Sequence, residues 1–364
     1  MREKVGTVAV VLALVLAWGV GFLWFRGDLH LPTGKDAAQK SAKHSAAKAP
    51  TTAPPVSTKT PAAAAAYDGT VTLAQERAPV EINPDPKRPA PVPLPPVAQW
   101  RMATFNVLGA AHTGGRGKDP GRASGTRRMQ GALHVIAQHQ LSVVGFQELE
   151  GSQRDAFLAG APKWQLYPGS SLGNAGENSI GWDTDVWQLV TPQTTPIPYF
   201  GGKIRPMPYI LLQNKATGVV SYFANFHNPA DIRQFKHQFK FRLEAERREV
   251  ALFNSLEKTG IPVFVTGDMN EREQFFCTVV GGTTLHAAAG GSVAGGCQPP
   301  HPTQIDWILG SKDVTFSDYN IDKSQLVHFT TDHPVVSATV TVDSLKYPKA
   351  YQPTLKLATG TTTP

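Results

Sequence analysis

One stretch limits the fold of this chain more than any other: Pro262-Val263-Phe264-Val265-Thr266-Gly267-Asp268-Met269-Asn270. A short apolar run without polar interruption reads as a buried strand. It stops at Gly267, and a carboxylate and a carboxamide follow two residues apart. Side chains with that spacing point the same way, so Asp268 and Asn270 can converge on one small target. Asp can bind a hard cation or take a proton from water, and Asn can donate to one oxygen while accepting from another. Gly, Asp and Asn also make ordinary strand-ending turns, so partners elsewhere in the chain decide between the two readings.

The charge pattern separates a globular part from its flanks. The 364 residues carry a formal charge of +7, which invites a polyanion-binding reading. Between Gln99 and Asp343, however, 21 Lys and Arg balance 21 Asp and Glu, so the whole excess lies outside the globular part. Residues 5–25 hold no charge, about the length that spans a bilayer as a helix. Trp18 and Trp24 suit an interfacial belt. The run ends Leu23-Trp24-Phe25-Arg26, a poor cleavage site. Residues 1–30 are therefore expected to be an uncleaved signal anchor, with a cleaved signal peptide and a secreted protein as the alternative. Residues 31–98 are rich in Ala, Pro, Thr, Lys and Ser and cannot bury enough apolar surface to offset their ordering entropy. They are expected to be a disordered stalk, whose lysines could touch anionic envelope polymers. Residues 99–343 form the expected domain, and residues 344–364 a tail without periodicity. The domain would then sit outside a cell membrane on a single-pass anchor.

Within the domain, residues 102–105 read as a strand with Asn106 at its end. A loop with Arg116, Lys118, Arg122, Arg127 and Arg128 follows, either solvated or flanking an anionic substrate. Apolar spacing predicts a helix over 129–140 and a buried strand over 141–146 that ends in Gln147-Glu148. Residues 178–182 and 186–190 read as a hairpin around Asp183-Thr184-Asp185. Residues 209–213 and 219–226 read as another, ending in Asn225-Phe226-His227. A helix over 235–256, with Arg and Glu on its outer face, leads into the central stretch. A Gly-rich loop then carries the two cysteines, Cys277 and Cys297. Outside the cell an even count argues for a disulfide. Strands at 303–309, containing Asp306, and 335–342, preceded by Thr331-Asp332-His333-Pro334, close the domain.

Polar groups thus recur at or beside strand ends: Asn106, Glu148, His227, Asp268, Asn270, Asp306, Asp332 and His333. Turn chemistry alone does not explain so many. Carboxylates and carboxamides without a Cys/His cluster suit Mg²⁺, Mn²⁺ or Ca²⁺ rather than zinc. A histidine next to an Asp, with a second acid to orient its ring, suits stabilisation of developing anionic charge.

The order Asn106, Gln147-Glu148, Asn225-Phe226-His227, Gly267-Asp268-Met269-Asn270, Gln304-Ile305-Asp306 and Thr331-Asp332-His333-Pro334 resembles the endonuclease/exonuclease/phosphatase superfamily, with its deoxyribonuclease I-like fold. The match covers roughly residues 99–343. Ser142 stands where the family has an acid before its Gln-Glu pair, and Met269 where Phe is more usual; neither change touches a metal or proton-transfer group. The resemblance implies an α+β fold, two packed mixed β-sheets flanked by helices in a four-layer α/β/β/α sandwich.

It also implies roles. Glu148 is the main Mg²⁺ ligand, with Asn106 nearby and Asp332 at a second position. Asp268 orients or deprotonates the attacking water, and Asn270 holds the phosphate or that water. His333, oriented by Asp306, binds the phosphate oxygen whose charge grows. His227 contacts the phosphate or protonates the leaving oxygen. The implied protein is a monomeric, metal-dependent phosphoesterase. Its substrate is a phosphate ester, with nucleic acid slightly favoured by the arginine loop and phospholipid or sphingomyelin headgroups and inositol phosphates as alternatives. A catalytically silent surface module on the same fold is the reading from another class, which loss of Glu148, Asp268 or His333 would have favoured.

Overall fold

The computed structural model describes residues 97–114, 119 and 121–350. They form two six-stranded mixed sheets. The first runs β11-β12-β1-β2-β4-β3 and the second β5-β6-β7-β8-β10-β9. In chain order the strands are β1 (Val97–Asn106), β2 (Val143–Gln147), β3 (Trp164–Tyr167), β4 (Ile180–Asp183), β5 (Trp187–Pro198), β6 (Ile204–Asn214), β7 (Val220–His227), β8 (Val263–Asp268), β9 (Leu285–Ala287), β10 (Asp306–Ser311), β11 (Thr315–Asp322) and β12 (Val335–Asp343). Four helices matter here: α1 (Gly125–Gln138), α2 (Gly151–Gly160), α3 (Phe239–Glu257) and α4 (Gln325–Thr330).

Three apolar clusters fix the layer order. Phe105, Phe146, Met129, Val135, Phe157 and Val327 join the outer face of the first sheet to α1, α2 and α4. Trp100, Met102, Phe223, Phe264, Ile308 and Val336 fill the space between the sheets. Phe226, Val265 and Leu309 meet Ala245, Leu252 and Phe253 of α3 on the outer face of the second sheet. The expected α/β/β/α sandwich is therefore what these residues build.

Strand alternation then decides where the polar ends point. On β1 the residues facing between the sheets are Trp100 and Met102, and two-residue steps carry that face on to Thr104 and Asn106. The same parity runs from Phe223 through Asn225 to His227, from Phe264 through Thr266 to Asp268, and from Ile308 back to Asp306. One end of the inter-sheet layer is thus polar because its apolar residues stop there on every strand. Just below that end the two sheets are joined by a buried polar bridge. Gln147 Nε2 donates to Asn225 Oδ1 at 2.7 Å and to Thr104 Oγ1 at 3.1 Å, and Thr266 Oγ1 donates to the same Asn225 oxygen at 3.1 Å.

The sequence-based elements need several corrections. The segment 178–190 is no hairpin: β4 pairs with β2 and β3, whereas β5 pairs with β6 in the other sheet. Trp182 and Trp187 both belong to the inter-sheet cluster, so the chain crosses between sheets to bury both. The turn that redirects it is an Asx type, with Asp185 N donating to Asp183 Oδ1 at 2.9 Å. The packed chain is also wider than 99–343: β1 begins at Val97, and Tyr347 and Ala350 are buried in the inter-sheet cluster. Helix α3 starts four residues later than expected, and Arg242, Glu246 and Glu249 lie on its buried face rather than outside. The Gly-rich cysteine loop opens with a helical segment over 273–280, and Cys277 and Cys297 are disulfide-bonded with Cα atoms 5.6 Å apart. The anchor, nearly all of the stalk and the tail beyond Ala350 fall outside the described residues. Among the described residues no helix is long and apolar enough to cross a membrane.

Candidate active site

Register brings the site together before any side chain is considered. The parallel pair β7–β8 sets His227 opposite Asp268, and the antiparallel pair β8–β10 sets Asp306 opposite Asp268 from the other edge. Asp268 therefore has a histidine on one flank and a carboxylate on the other. Its Oδ2 lies 3.6 Å from Nε2 of His227 and 3.6 Å from Nε2 of His333. His333 presents Nδ1 to Asp306 at 3.0 and 3.1 Å, so Asp306 fixes the orientation of its ring. Asn106 Nδ2 donates at 3.0 Å both to Glu148 Oε1 and to Asp268 Oδ2. Asn270 donates its backbone N–H to Asp268 Oδ1 at 3.0 Å and its amide to the carbonyl of Asn228 at 2.9 Å.

Glu148 and Asn270 both have positive φ, 60° and 49°. For Asn that region is tolerated; for Glu it costs free energy that the surroundings must supply. Glu148 is held by Gly109, whose N–H donates to Oε2 at 2.8 Å, and by His112, whose Nε2 lies 3.3 Å from the same oxygen. A Cβ at Gly109 would sit 2.6 Å from Glu150 Oε1, so the Glu150 carboxylate would have to shift to admit any larger residue there.

The electrostatics separate the groups. Burial opposes the charge on Glu148, but hydrogen bonds from His112, Gly109 and Asn106 and the nearby His227 outweigh it, holding its carboxyl well below the usual range. Burial, and next the charge of Asp306, push Asp268 upward. Burial lowers His227, which favours a neutral ring. Burial also opposes charge on His333, yet Asp306, Asp268 and Asp332 raise it to about 10. The site thus joins a firmly ionised Glu148, a more basic Asp268 and a protonated His333.

Two residues the sequence reading passed over belong here. Tyr199 lies within hydrogen-bond distance of His227 Nδ1 at 3.3 Å and is kept protonated, chiefly by burial. As a donor to Nδ1 it leaves the proton of neutral His227 on Nε2, facing Asp268. His112 is the other. Tyr199 follows the Pro-rich β5 and His112 sits in a short turn, and neither ends an apolar strand. Of the arginine loop, Arg116 and Lys118 lie outside the described residues, and Arg127 is exposed. Arg128 is fully buried and donates to the carbonyls of Val107 at 2.6 Å and Thr330 at 2.8 Å. Arg122 donates to the carbonyls of His328 and Thr331. Both tie the loop to the segment before Asp332 and His333 rather than facing a ligand.

The donor set fits a hard cation. Glu148 is ionised and its side chain 22% exposed, which suits an ion that keeps several waters and takes one or two carboxylates. Asp332 is exposed, with Thr331 Oγ1 at 3.5 Å. Asn106 clamps the two carboxylates through Nδ2, while Oδ1 accepts from Leu108 N at 3.0 Å and keeps a second lone pair. Asp268, Asp306 and His333 also bring ligand atoms within 4.8 Å of one another, but a protonated His333 makes that group an ion-paired network.

The model of the Endonuclease/Exonuclease/phosphatase family matches residues 103–333, from β1 to His333. The chain belongs to this family. As an endonuclease/exonuclease/phosphatase protein it is a phosphoric ester hydrolase, of a family that generally depends on divalent metal. No curated protein gives a significant match. Among solved structures, an endonuclease/exonuclease/phosphatase family protein from Bacteroides thetaiotaomicron superposes with a TM-score of 0.54 at 16% identity, covering 68% of this chain and 99% of that one. Humanised TDP2 of D. rerio gives 0.51 at 17% over 66% and 98%. The human Nocturnin catalytic domain with bound sulfate gives 0.51 at 18% over 68% and 96%. At these identities the shared property is the fold.

Proposed function

We propose that this protein is a membrane-anchored, extracellular, Mg²⁺-dependent phosphodiesterase of nuclease type. The observation that carries the reading is the position of Asp268, flanked by His227 and His333 and clamped to Glu148 through Asn106. Raised by burial and by Asp306, Asp268 is the group suited to take a proton from an attacking water. Protonated His333 offers an N–H to the phosphate oxygen that gains charge. Neutral His227, with its proton on Nε2, donates to the leaving oxygen, and Asn270 holds the water or the phosphate. Glu148, with Asp332 at a second position, would hold the ion, whose contribution is to offset charge on the non-bridging oxygens.

Charge favours a diester. Glu148, Asp268, Asp306 and Asp332 crowd the site against one protonated histidine, and a singly charged phosphodiester meets less repulsion there than a doubly charged monoester. The deciding test is turnover of bis-p-nitrophenyl phosphate, p-nitrophenyl phosphate, DNA, RNA and sphingomyelin with Mg²⁺. Diester cleavage abolished by chelator is expected; hydrolysis of the monoester alone would overturn the reading.

The location rests on the uncharged run at residues 5–25 and on the Cys277–Cys297 bond, which suits an oxidising compartment. Protease added to intact cells should remove the domain while the protein stays with membranes. Release of a shortened form into the medium would mean cleavage instead.

A further inference from the structure

The rim beside His227 carries an aromatic and basic surface that the catalytic assignment does not use. Tyr199 leads directly into Phe200, and their rings are 4.5 Å apart. Phe200 stacks on Phe235 at 5.2 Å and 28°. The two segments are fastened together: Gly201 N donates to Gln238 Oε1 at 2.9 Å, and a Cβ at Gly202 would fall 2.5 Å from the Phe241 ring. With Tyr199 and His227 ring centroids 5.6 Å apart, three ring-to-ring steps of 5.6, 4.5 and 5.2 Å place Phe235 within about 15 Å of the catalytic histidine. Phe239, 45% exposed, follows four residues after Phe235 at the start of α3.

Interleaved in sequence with these rings are Lys203, Arg233, Lys236 and Lys240, all exposed and without a carboxylate partner among the described residues; Lys240 Nζ lies 4.9 Å from the centroid of the Phe241 ring. The acids nearby are already engaged: Asp231 with Arg242, Glu244 with Arg247 and Arg248, and Glu177 with Arg205. In a domain whose charges balance overall, this is a local positive excess next to the site. Aromatic faces alternating with unpaired cations are what single-stranded nucleic acid binds: bases stack on the rings and phosphates meet the cations, without sequence readout. An anionic bilayer is the competing occupant. It fits less well, because Phe200, Phe235 and Phe241 are half-buried and present ring surface rather than protruding side chains.

We infer that the Phe200–Phe235–Phe239 row, with Lys203, Arg233, Lys236 and Lys240, is a platform that holds the single strand flanking the cleaved phosphodiester. This rests on the phosphodiesterase reading above and names the substrate's conformation. The test uses the full-length protein in detergent and a fluorescein-labelled oligothymidylate with phosphorothioate linkages, read by anisotropy in chelator. Phe235→Ala with Phe239→Ala should weaken binding about 10- to 100-fold, the scale of lost base stacking. Lys236→Gln with Lys240→Gln should lower the salt slope of binding by about 1.4, two single-strand phosphates. Turnover of bis-p-nitrophenyl phosphate should stay at the wild-type rate in both variants. Unchanged oligothymidylate binding in the aromatic variant would overturn the platform, as would loss of binding to phosphatidylserine vesicles with oligothymidylate binding intact. Failure of the wild type to cleave any diester would instead remove the phosphodiesterase reading, a result this binding measurement does not share.

Discussion

Nε2 of His227 lies 3.6 Å from Oδ2 of Asp268 because β7 and β8 pair these two residues directly across a parallel ladder. Their spacing is thus fixed by backbone hydrogen bonds, the least deformable part of the site. Asp268 is correspondingly almost inaccessible, at 1% exposure.

If Glu148 holds the cation and Asp268 handles the water, the two substitutions fail differently. Glu148→Gln keeps the clamp from Asn106 but weakens the cation site, so excess Mg²⁺ or Mn²⁺ should recover part of the lost rate. Asp268→Asn keeps the shape and removes the base. It should lose on the order of 10²–10⁴ in rate, and added metal should not restore it. His333→Ala should fall in the same range through loss of a donor to the growing phosphate charge. Turnover against Mg²⁺ concentration separates the three; full activity in Asp268→Asn would remove the mechanism.

Tyr199→Phe tests whether the proton on His227 is placed by a neighbour. The ring contacts remain, including the Arg205 guanidinium 4.0 Å from the ring centroid. Only the hydroxyl at 3.3 Å from Nδ1 is lost. A net hydrogen bond contributes about 0.5–1.5 kcal/mol, so kcat should drop by roughly two- to tenfold with KM little changed. A fall in KM alone, or none in kcat, would mean that the hydroxyl does not set the tautomer.

What the sequence revealed and what it hid have one physical cause. Buried strands announce themselves by uninterrupted apolar residues, and the polar group that follows is visible by contrast; Asn106, Glu148, His227 and Asp268 were legible in this way. Asp306 opens its strand and His333 precedes its own, so the same contrast marks them from the other side of an apolar run. Tyr199, His112 and Gly109 sit in irregular segments, and their roles exist only once two distant loops meet. The helix α3 misled for the opposite reason. Its Arg and Glu residues read as a solvated face, yet Glu246 and Glu249 are fully buried beside Ala245, Leu252 and Phe253. The segment 178–190 read as a hairpin because alternation is local, while the choice between pairing and crossing depends on which sheet buries Trp187.

The buried Glu249 predicts how stability varies with pH. Asn228 beside it favours its charge only weakly, and no other side chain reaches its carboxyl oxygens. Burial, and next the charge of Glu246, push it up to about 8. In the unfolded chain it titrates at the ordinary value near 4.3. Between these values the folded state keeps a proton that the unfolded state releases, so stability falls as pH rises. The contribution is fully present below about pH 4, declines at up to about 1.4 kcal/mol per pH unit, and levels off above the folded value. Glu249→Gln removes this term. Urea unfolding from pH 5 to 8 should therefore show the variant gaining on the wild type at each step; parallel profiles would mean that Glu249 finds a partner in solution.

The last prediction concerns the separation of the sheets, which sets the distance between the groups that each contributes. Gly145 of β2 faces the inter-sheet layer where the polar bridge crosses. A Cβ there would lie 1.9 Å from Thr266 Oγ1 and 2.5 Å from Asn225 Oδ1. Neither atom is the end of a flexible chain: Thr266 Oγ1 donates to Asn225 Oδ1 within the second sheet, and Asn225 Oδ1 accepts from Gln147 across the layer. Gly145→Ala must therefore push β7 and β8 away from β2, at a cost typical of overpacking, about 1–3 kcal/mol, readable from urea denaturation. Asn225 and Thr266 each stand two residues before a proposed catalytic group, His227 and Asp268, while Glu148 follows β2 directly. The same displacement should lengthen the Glu148–Asn106–Asp268 clamp and lower kcat, although residue 145 touches neither substrate nor metal. Adding Thr266→Ala removes the nearest obstructing oxygen and should return part of both stability and rate. If Gly145→Ala loses stability and keeps full kcat, the catalytic groups do not depend on the spacing of the two sheets.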